Sequence, residues 1–181
     1  MQDAVAKLRE SNITRLSPSQ PAPSWRNQIT TPQLLIFTLD EQRYALRLEA
    51  VERVVRAAAI TPLPKAPEIV LGILDLQGQV IPVINLRKRF SLPVREIRTS
   101  DQFVIARAKL LTVALVVDGA ESVLEGTGEA VIPPGDILTG TGYLEGVTRT
   151  EDGLVLIHDL ASLLFPEEEE LLARALEQGE G

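Results

Sequence analysis

The residues of this chain that carry chemistry are few, and their spacing does not suit catalysis. The single histidine, His158, lies in an apolar run beside Asp159. A His–Asp pair works as a general base when a nucleophile accompanies it, and no Ser-containing nucleophile motif does; its expected role is to cap a strand or helix end by hydrogen bonding. Glu125 with Glu129, and Asp118 with Glu121, are the nearest approach to paired carboxylates, but in strands and loops those spacings give no reason to converge. Gly126-Thr-Gly128 and Gly140-Thr-Gly142 lack the lysine and following helix of a phosphate loop and read as turns. Arg87-Lys88-Arg89, next to Phe90, reads as a solvated helix end rather than a phosphate clamp. With no cysteine and one histidine, disulfides, thiolate sites and multi-histidine metal sites are excluded. The expectation is a protein that is not an enzyme, takes no cofactor or metal, and works by binding.

Charge narrows the partner. A formal charge of −7 repels polyanions, so neither nucleic acid nor an anionic membrane surface is expected. The charge is uneven, +3 over Gln33 to Ser100 and −7 over Asp101 to Phe165, a polarity that reads as two differing solvated surfaces, with the orienting of two partners on opposite sides as the other reading. No apolar run approaches the roughly 20 residues that span a bilayer, and Met1 to Glu10 lacks the apolar core of a secretory signal. A cytoplasmic location without direct membrane insertion is expected.

The elements that must position any binding surface are short. Residues 1–32 read as an extension, with Val5, Leu8, Ile13 and Leu16 on a weak amphipathic helix and a Pro/Ser linker from Ser17 to Ser24. Trp25 is expected to pack onto the domain surface, with a partner anchor as the other reading. Leu34–Leu39 and Arg43–Leu48 flank Asp40-Glu41-Gln42 as a hairpin, and Ala50 to Val55 continues as strand. Pro62, Pro64 and Pro67 keep the next stretch irregular. Gly72 to Leu86 then forms a second hairpin about Gln77-Gly78. It is too apolar to keep one wet face, and Pro82 places part of it at an edge or bulge. From Gln102 onward further short strands follow, separated by Gly, Asp and Pro. Pro166 opens an acidic C-terminal helix and tail over 166–181, with Leu171, Leu172, Ala175 and Leu176 on its apolar face.

Self-comparison divides the β region in two. Ala45–Val55 aligns without gaps on Ala114–Leu124, Gly72–Asp75 on Gly142–Glu145, and Val83–Leu86 on Ile157–Leu160. The chain therefore reads as mainly all-β, with two related small antiparallel barrels in tandem, the first over about 33–100 and the second over about 101–165, sharing an apolar seam. A groove where two units meet is a preferred binding site.

Phe37-Thr-Leu-Asp-Glu-Gln-Arg-Tyr-Ala-Leu, Ile60-Thr-Pro-Leu-Pro and above all Gly72-Ile-Leu-Asp-Leu-Gln-Gly-Gln-Val-Ile-Pro-Val-Ile-Asn-Leu resemble the CheW-like adaptor proteins of bacterial chemosensory arrays. The resemblance covers about Gln33 to Phe165. It implies two five-stranded barrels packed face to face, no enzymatic activity, and coupling of a chemoreceptor's cytoplasmic tip to the regulatory domain of a CheA-type histidine kinase. It further implies kinase contact around Leu35, Leu48 and Val51, and receptor contact in the inter-barrel groove around Arg53, Gly72, Gln77, Gly78 and Val80. Core packing is the competing role for Leu35 and Leu48; backbone geometry is the competing role for Gly72 and Gly78. The sequence departs from the family pattern at Gln77, where arginine is usual, at Asp75, where asparagine is usual, and at Arg53, where many members have glutamate. A neutral amide cannot replace a charged fork, so an Asp75–Arg53 pair is the expected substitute. Two other readings stand beside the first: a sensory module binding an apolar ligand between the barrels, and a divergent adaptor for twitching, gliding or another output without receptor binding.

Overall fold

The computed structural model describes residues 33–109, 111–125, 131–132 and 142–179. Expectations for the N-terminal extension, Trp25, Glu129 and Gly126-Thr-Gly128 lie outside those residues. Ten strands are present among the described residues: β1 (Gln33–Leu39), β2 (Gln42–Arg47), β3 (Val51–Arg56), β4 (Val70–Leu76), β5 (Gln79–Ile84), β6 (Gln102–Ala108), β7 (Leu111–Val117), β8 (Gly119–Glu125), β9 (Leu144–Thr150) and β10 (Gly153–His158). Among the described residues, two helices, α1 (Leu86–Arg89) and α2 (Pro166–Gly179), and two 3-10 turns at Leu48–Ala50 and Leu160–Ser162 accompany the strands. No helix among the described residues is long and apolar enough to cross a membrane.

The strands form two five-stranded sheets, in the orders β8-β1-β2-β10-β9 and β3-β6-β7-β5-β4. Each closes toward a barrel through an isolated bridge, Ile132 with Val147 in the first and Thr61 with Ile73 in the second. The repeat is visible directly: each of β1, β2, β3, β4 and β5 holds the place in its own sheet that β6, β7, β8, β9 and β10, respectively, hold in the other sheet. The expected division at residue 100 is corrected. Each sheet takes two strands from one half of the chain and three from the other, joined by the parallel pairs β10–β2 and β5–β7. Neither half can close a sheet alone, so the halves exchange strands. Self-comparison detects that two segments are equivalent but carries no information about which copy pairs with which.

The repeat register is also sharpened. The paired bridges make Gly146, not Gly142, the counterpart of Gly72. The third match holds: Asn85 N–H donates to Ile69 O at 2.8 Å and Asp159 N–H to Tyr143 O at 3.0 Å. Asn85 and Asp159 each cap the turn that follows, accepting from Lys88 N at 3.1 Å and Ala161 N at 3.0 Å.

The near-continuous apolar runs follow from three cores. On β1, Leu35, Phe37 and Leu39 face the seam between the sheets, while Leu34 and Ile36 fill the inside of the first sheet. On β6, Val104 and Ala106 face the seam, and Phe103 and Ile105 fill the second sheet. Strands buried on both faces need no polar side. Helix α2 lays Leu172 and Ala175 on the seam, whereas Leu171 is 46% exposed, a correction to its expected place on the buried face. Arg89, whose guanidinium lies 4.2 Å over the Phe165 ring, pairs with Glu168 to fasten the start of the helix.

Candidate docking surfaces

The β4–β5 hairpin turns through Gln77 (φ 59°) and Gly78 (φ 85°). Positive φ at both central residues is the signature of a type I′ turn, whose twist matches the strands it joins. Asp75 secures it, its Oδ1 accepting from Gly78 N–H at 2.8 Å. The expected Asp75–Arg53 pair is therefore corrected: the carboxylate serves its own turn, and among the described residues no ion pair or hydrogen bond joins Arg53 to Asp75 or Gln77. Beyond the turn, β5 pairs with β7 only through Val83 and Ile84. Gln79 to Pro82 is thus paired on the β4 side alone, which is the local edge that Pro82 requires. Val80 stands there 46% exposed.

Gly72 is buried, with φ 152°. A Cβ on it would lie inside the contact distance of the Thr61 carbonyl, because Thr61 and Ile73 exchange backbone hydrogen bonds of 2.9 and 2.8 Å there. Backbone geometry accounts for this glycine, and it cannot itself touch a partner. Leu35 is 7% exposed and packs in the seam, the core role that competes with contact. Leu48 and Val51 are half-buried against the same core, one opening the 3-10 turn and the other starting β3. Arg53 is exposed on β3, the outermost strand of its sheet. Of the eight candidate positions, Leu48 and Val51 are half-buried, and Arg53, Gln77, Gly78 and Val80 are exposed. Arg53 and the Gln77–Val80 tip belong to opposite ends of the strand order; the chain leaving β3 returns at Thr61 to meet β4.

An ion cluster that the sequence does not announce ties loops of both halves together. Arg87 is 5% exposed; it donates to Asp40 at 2.6 Å, to both oxygens of Asp118 at 2.7 and 2.8 Å, and to Pro93 O at 3.2 Å. Arg95 joins Asp118 at 2.7 Å and forks onto Asp101 at 2.8 Å. The Arg87 hydrogen bond holds the Asp40 carboxyl below its ordinary range. Burial alone would raise Asp101, but hydrogen bonds from Arg95 and the Arg98 N–H outweigh it and lower the group. Arg87-Lys88-Arg89 is thus not a solvated helix end, since Arg87 is buried, the Arg89 side chain is 7% exposed, and both are paired. The Asp118 and Glu121 carboxylates are engaged separately, Glu121 by Arg43 at 2.6 Å.

His158 is 4% exposed. Its ring stacks on Phe90 at 4.4 Å and contacts Tyr44 and Tyr143, each at 5.6 Å. Nδ1 lies 3.1 Å from Tyr143 O, and a carbonyl only accepts, so Nδ1 carries the proton. Burial lowers its pKa from 6.5 to about 4. Between those values the unfolded chain binds a proton that the folded chain refuses, so stability falls as pH drops from about 6.5 to about 4, by roughly 3 kcal/mol in total. Urea titrations across that range should show this slope in the native chain and not in His158→Phe; equal slopes would remove His158 as its source.

Comparison with known proteins now bears on this geometry. The CheW-like domain matches residues 33–167, which include all ten strands and the ion cluster. The chain belongs to the CheW-like family. It is 31% identical over 147 residues to the chemotaxis protein CheW of Treponema pallidum, covering 78% of this chain and 86% of that protein. It is 29% identical over 133 residues to the chemotaxis protein CheW of Thermotoga maritima, covering 73% and 87%. The crystal structure of the scaffolding protein TtCheW from Thermoanaerobacter tengcongensis superposes with a TM-score of 0.69 at 30% identity, covering 76% of this chain and 95% of that one.

Proposed function

We propose that the chain is a non-catalytic coupling adaptor that joins the regulatory domain of a CheA-type histidine kinase to the cytoplasmic tip of a chemoreceptor, at the cytoplasmic side of a receptor array. The observation that carries this is family membership across both sheets, from residue 33 to residue 167; its relatives are chemotaxis and scaffolding proteins. The exposure pattern refines the surfaces. Kinase docking uses Leu48 and Val51, with Leu35 supporting them from the core beneath. Receptor docking uses Val80 and the Gln77–Gly78 turn, with Arg53 available as a cation. Arg53 and Gln77 are two of the positions at which the sequence departs from the family pattern, so receptor choice is the property expected to differ.

Val51→Asp puts a carboxylate on a half-buried apolar contact and should lower co-elution with a kinase regulatory domain at least tenfold, while the circular dichroism spectrum stays native. Normal co-elution of the variant would move the kinase surface elsewhere. Val80→Asp should leave kinase binding intact and weaken capture by a receptor-tip fragment.

A further inference from the structure

The β4–β5 hairpin carries a single charge: between Glu68 and Arg87 the only charged residue is Asp75. Its Cα partner across the ladder is Val80, and directly opposed residues set their side chains on one face of the sheet, about 5 Å apart. Both residues are exposed. Asp75 Oδ1 accepts from Gly78 N–H at 2.8 Å, and among the described residues nothing donates to Oδ2. The carboxylate is therefore anchored by one oxygen and open at the other, beside the apolar residue that the docking surface offers. The turn that orients Val80 also orients the charge.

The repeat supplies a contrast within the same molecule. The register that sets Gly72 against Gly146 sets Val80 against Leu154 and Asp75 against Arg149. Leu154 is 53% exposed, and its Cα partner across the β9–β10 ladder is Arg149, which is exposed and, among the described residues, makes no ion pair. Strand β10 meets β2 only from Leu156 onward, so Leu154, like Val80, stands where its strand is paired on one side. The turn there is acidic, but Asp152 is taken by Arg43 at 3.0 Å, and the group opposite the apolar residue is the cation. The chain thus presents two apolar knobs of the same build with neighbours of opposite charge. Shape does not choose between them; the group beside the knob does, because like charges brought together at an interface repel.

We propose that Asp75 is the specificity-determining residue of the β4–β5 hairpin, which accepts a partner that sets a lysine or arginine against Asp75 Oδ2 while an apolar residue packs on Val80. The proposal rests on the receptor-docking reading above. Asp75 acts twice: Oδ1 positions the tip, and Oδ2 selects the cation.

Two forms of a chemoreceptor cytoplasmic-tip fragment test this on the full chain, one native and one with the exposed lysines and arginines of its tip changed to glutamine. Asp75→Asn keeps an acceptor for Gly78 N–H and removes the charge, whereas Asp75→Ala removes both. Toward the native fragment the Kd should rise about threefold in Asp75→Asn and about tenfold in Asp75→Ala. The neutralised fragment should bind the native chain and Asp75→Asn equally, and salt should weaken the native pair more than the Asn pair. Hydrogen exchange at the Gly78 amide should be unchanged in Asp75→Asn and faster in Asp75→Ala. Leu154→Asp should leave capture of the native fragment as it is. Equal binding of the native fragment by the native chain and Asp75→Asn, or a loss of the same size with the neutralised fragment, overturns the proposal while Val80→Asp still reports on the receptor reading. Capture lost in Leu154→Asp moves the partner to the other hairpin and overturns it as well. If Val80→Asp binds like the native chain, or the native chain captures no fragment, the receptor reading falls and the proposal falls with it.

Discussion

Gly72→Ala is expected to destabilise the chain by about 2–4 kcal/mol, the range for strained backbone combined with overpacking. The added Cβ meets the Thr61 carbonyl, and a backbone atom cannot swing away as a flexible side chain can. Relief requires β4 to part from the Thr61 segment, which gives up the hydrogen bonds of 2.9 and 2.8 Å between Thr61 and Ile73. The φ of 152° adds strain for any side chain. Urea unfolding measures the loss. Gly142→Ala is the control: nothing lies within 4 Å of a Cβ there, and its effect should stay within about 0.5 kcal/mol. If Gly72→Ala is as stable as the native chain yet loses receptor binding, the glycine is a contact residue and the geometric account is wrong.

The second large effect is at Arg87. Arg87→Met should lower stability by about 1–3 kcal/mol, because it removes the buried partner of the ion cluster and leaves Asp118, which keeps Arg95, with less than its full set of donors. Arg87→Lys should recover only part of this, since an ammonium cannot span both Asp118 oxygens and Asp40 in the planar geometry of a fork. The gap between native and Met variants should narrow in acid. Asp40 and Asp101 are held below their ordinary values, so the stability that they contribute is present above the ordinary carboxylate range and disappears as pH falls below it. A gap that does not change with pH would show that the loss comes from packing alone.

Much of the fold was legible because its signals are local. Gln77-Gly78 between two apolar runs marks a hairpin turn, Pro166 followed by acids marks a helix start, and the match of Val83–Leu86 to Ile157–Leu160 survives in the paired capping turns at Asn85 and Asp159. The resemblance carried by Gly72 to Leu86 named the family. The candidate site was only half legible. Leu35 and Val51 look alike as apolar strand residues, yet one lies inside the seam and the other at its rim. Asp75 beside Arg53 in charge terms suggested a pair, but the carboxylate satisfies a donor three residues away, and nearby orphan donors usually win over distant charges.

By itself the sequence determined which segments are strands, that they come in two equivalent sets, and which family they belong to. Alternation, turn residues and helix caps act over a few positions, so they can be read in order. Only the tertiary structure decided that the two sets exchange strands, that Gly72 answers to Gly146, that Arg87 is inside a carboxylate cluster, and that His158 is neutral with an unpartnered Nε2. Each of these depends on groups brought together from distant parts of the chain, where the same residue type is stable in water or in the core according to what meets it.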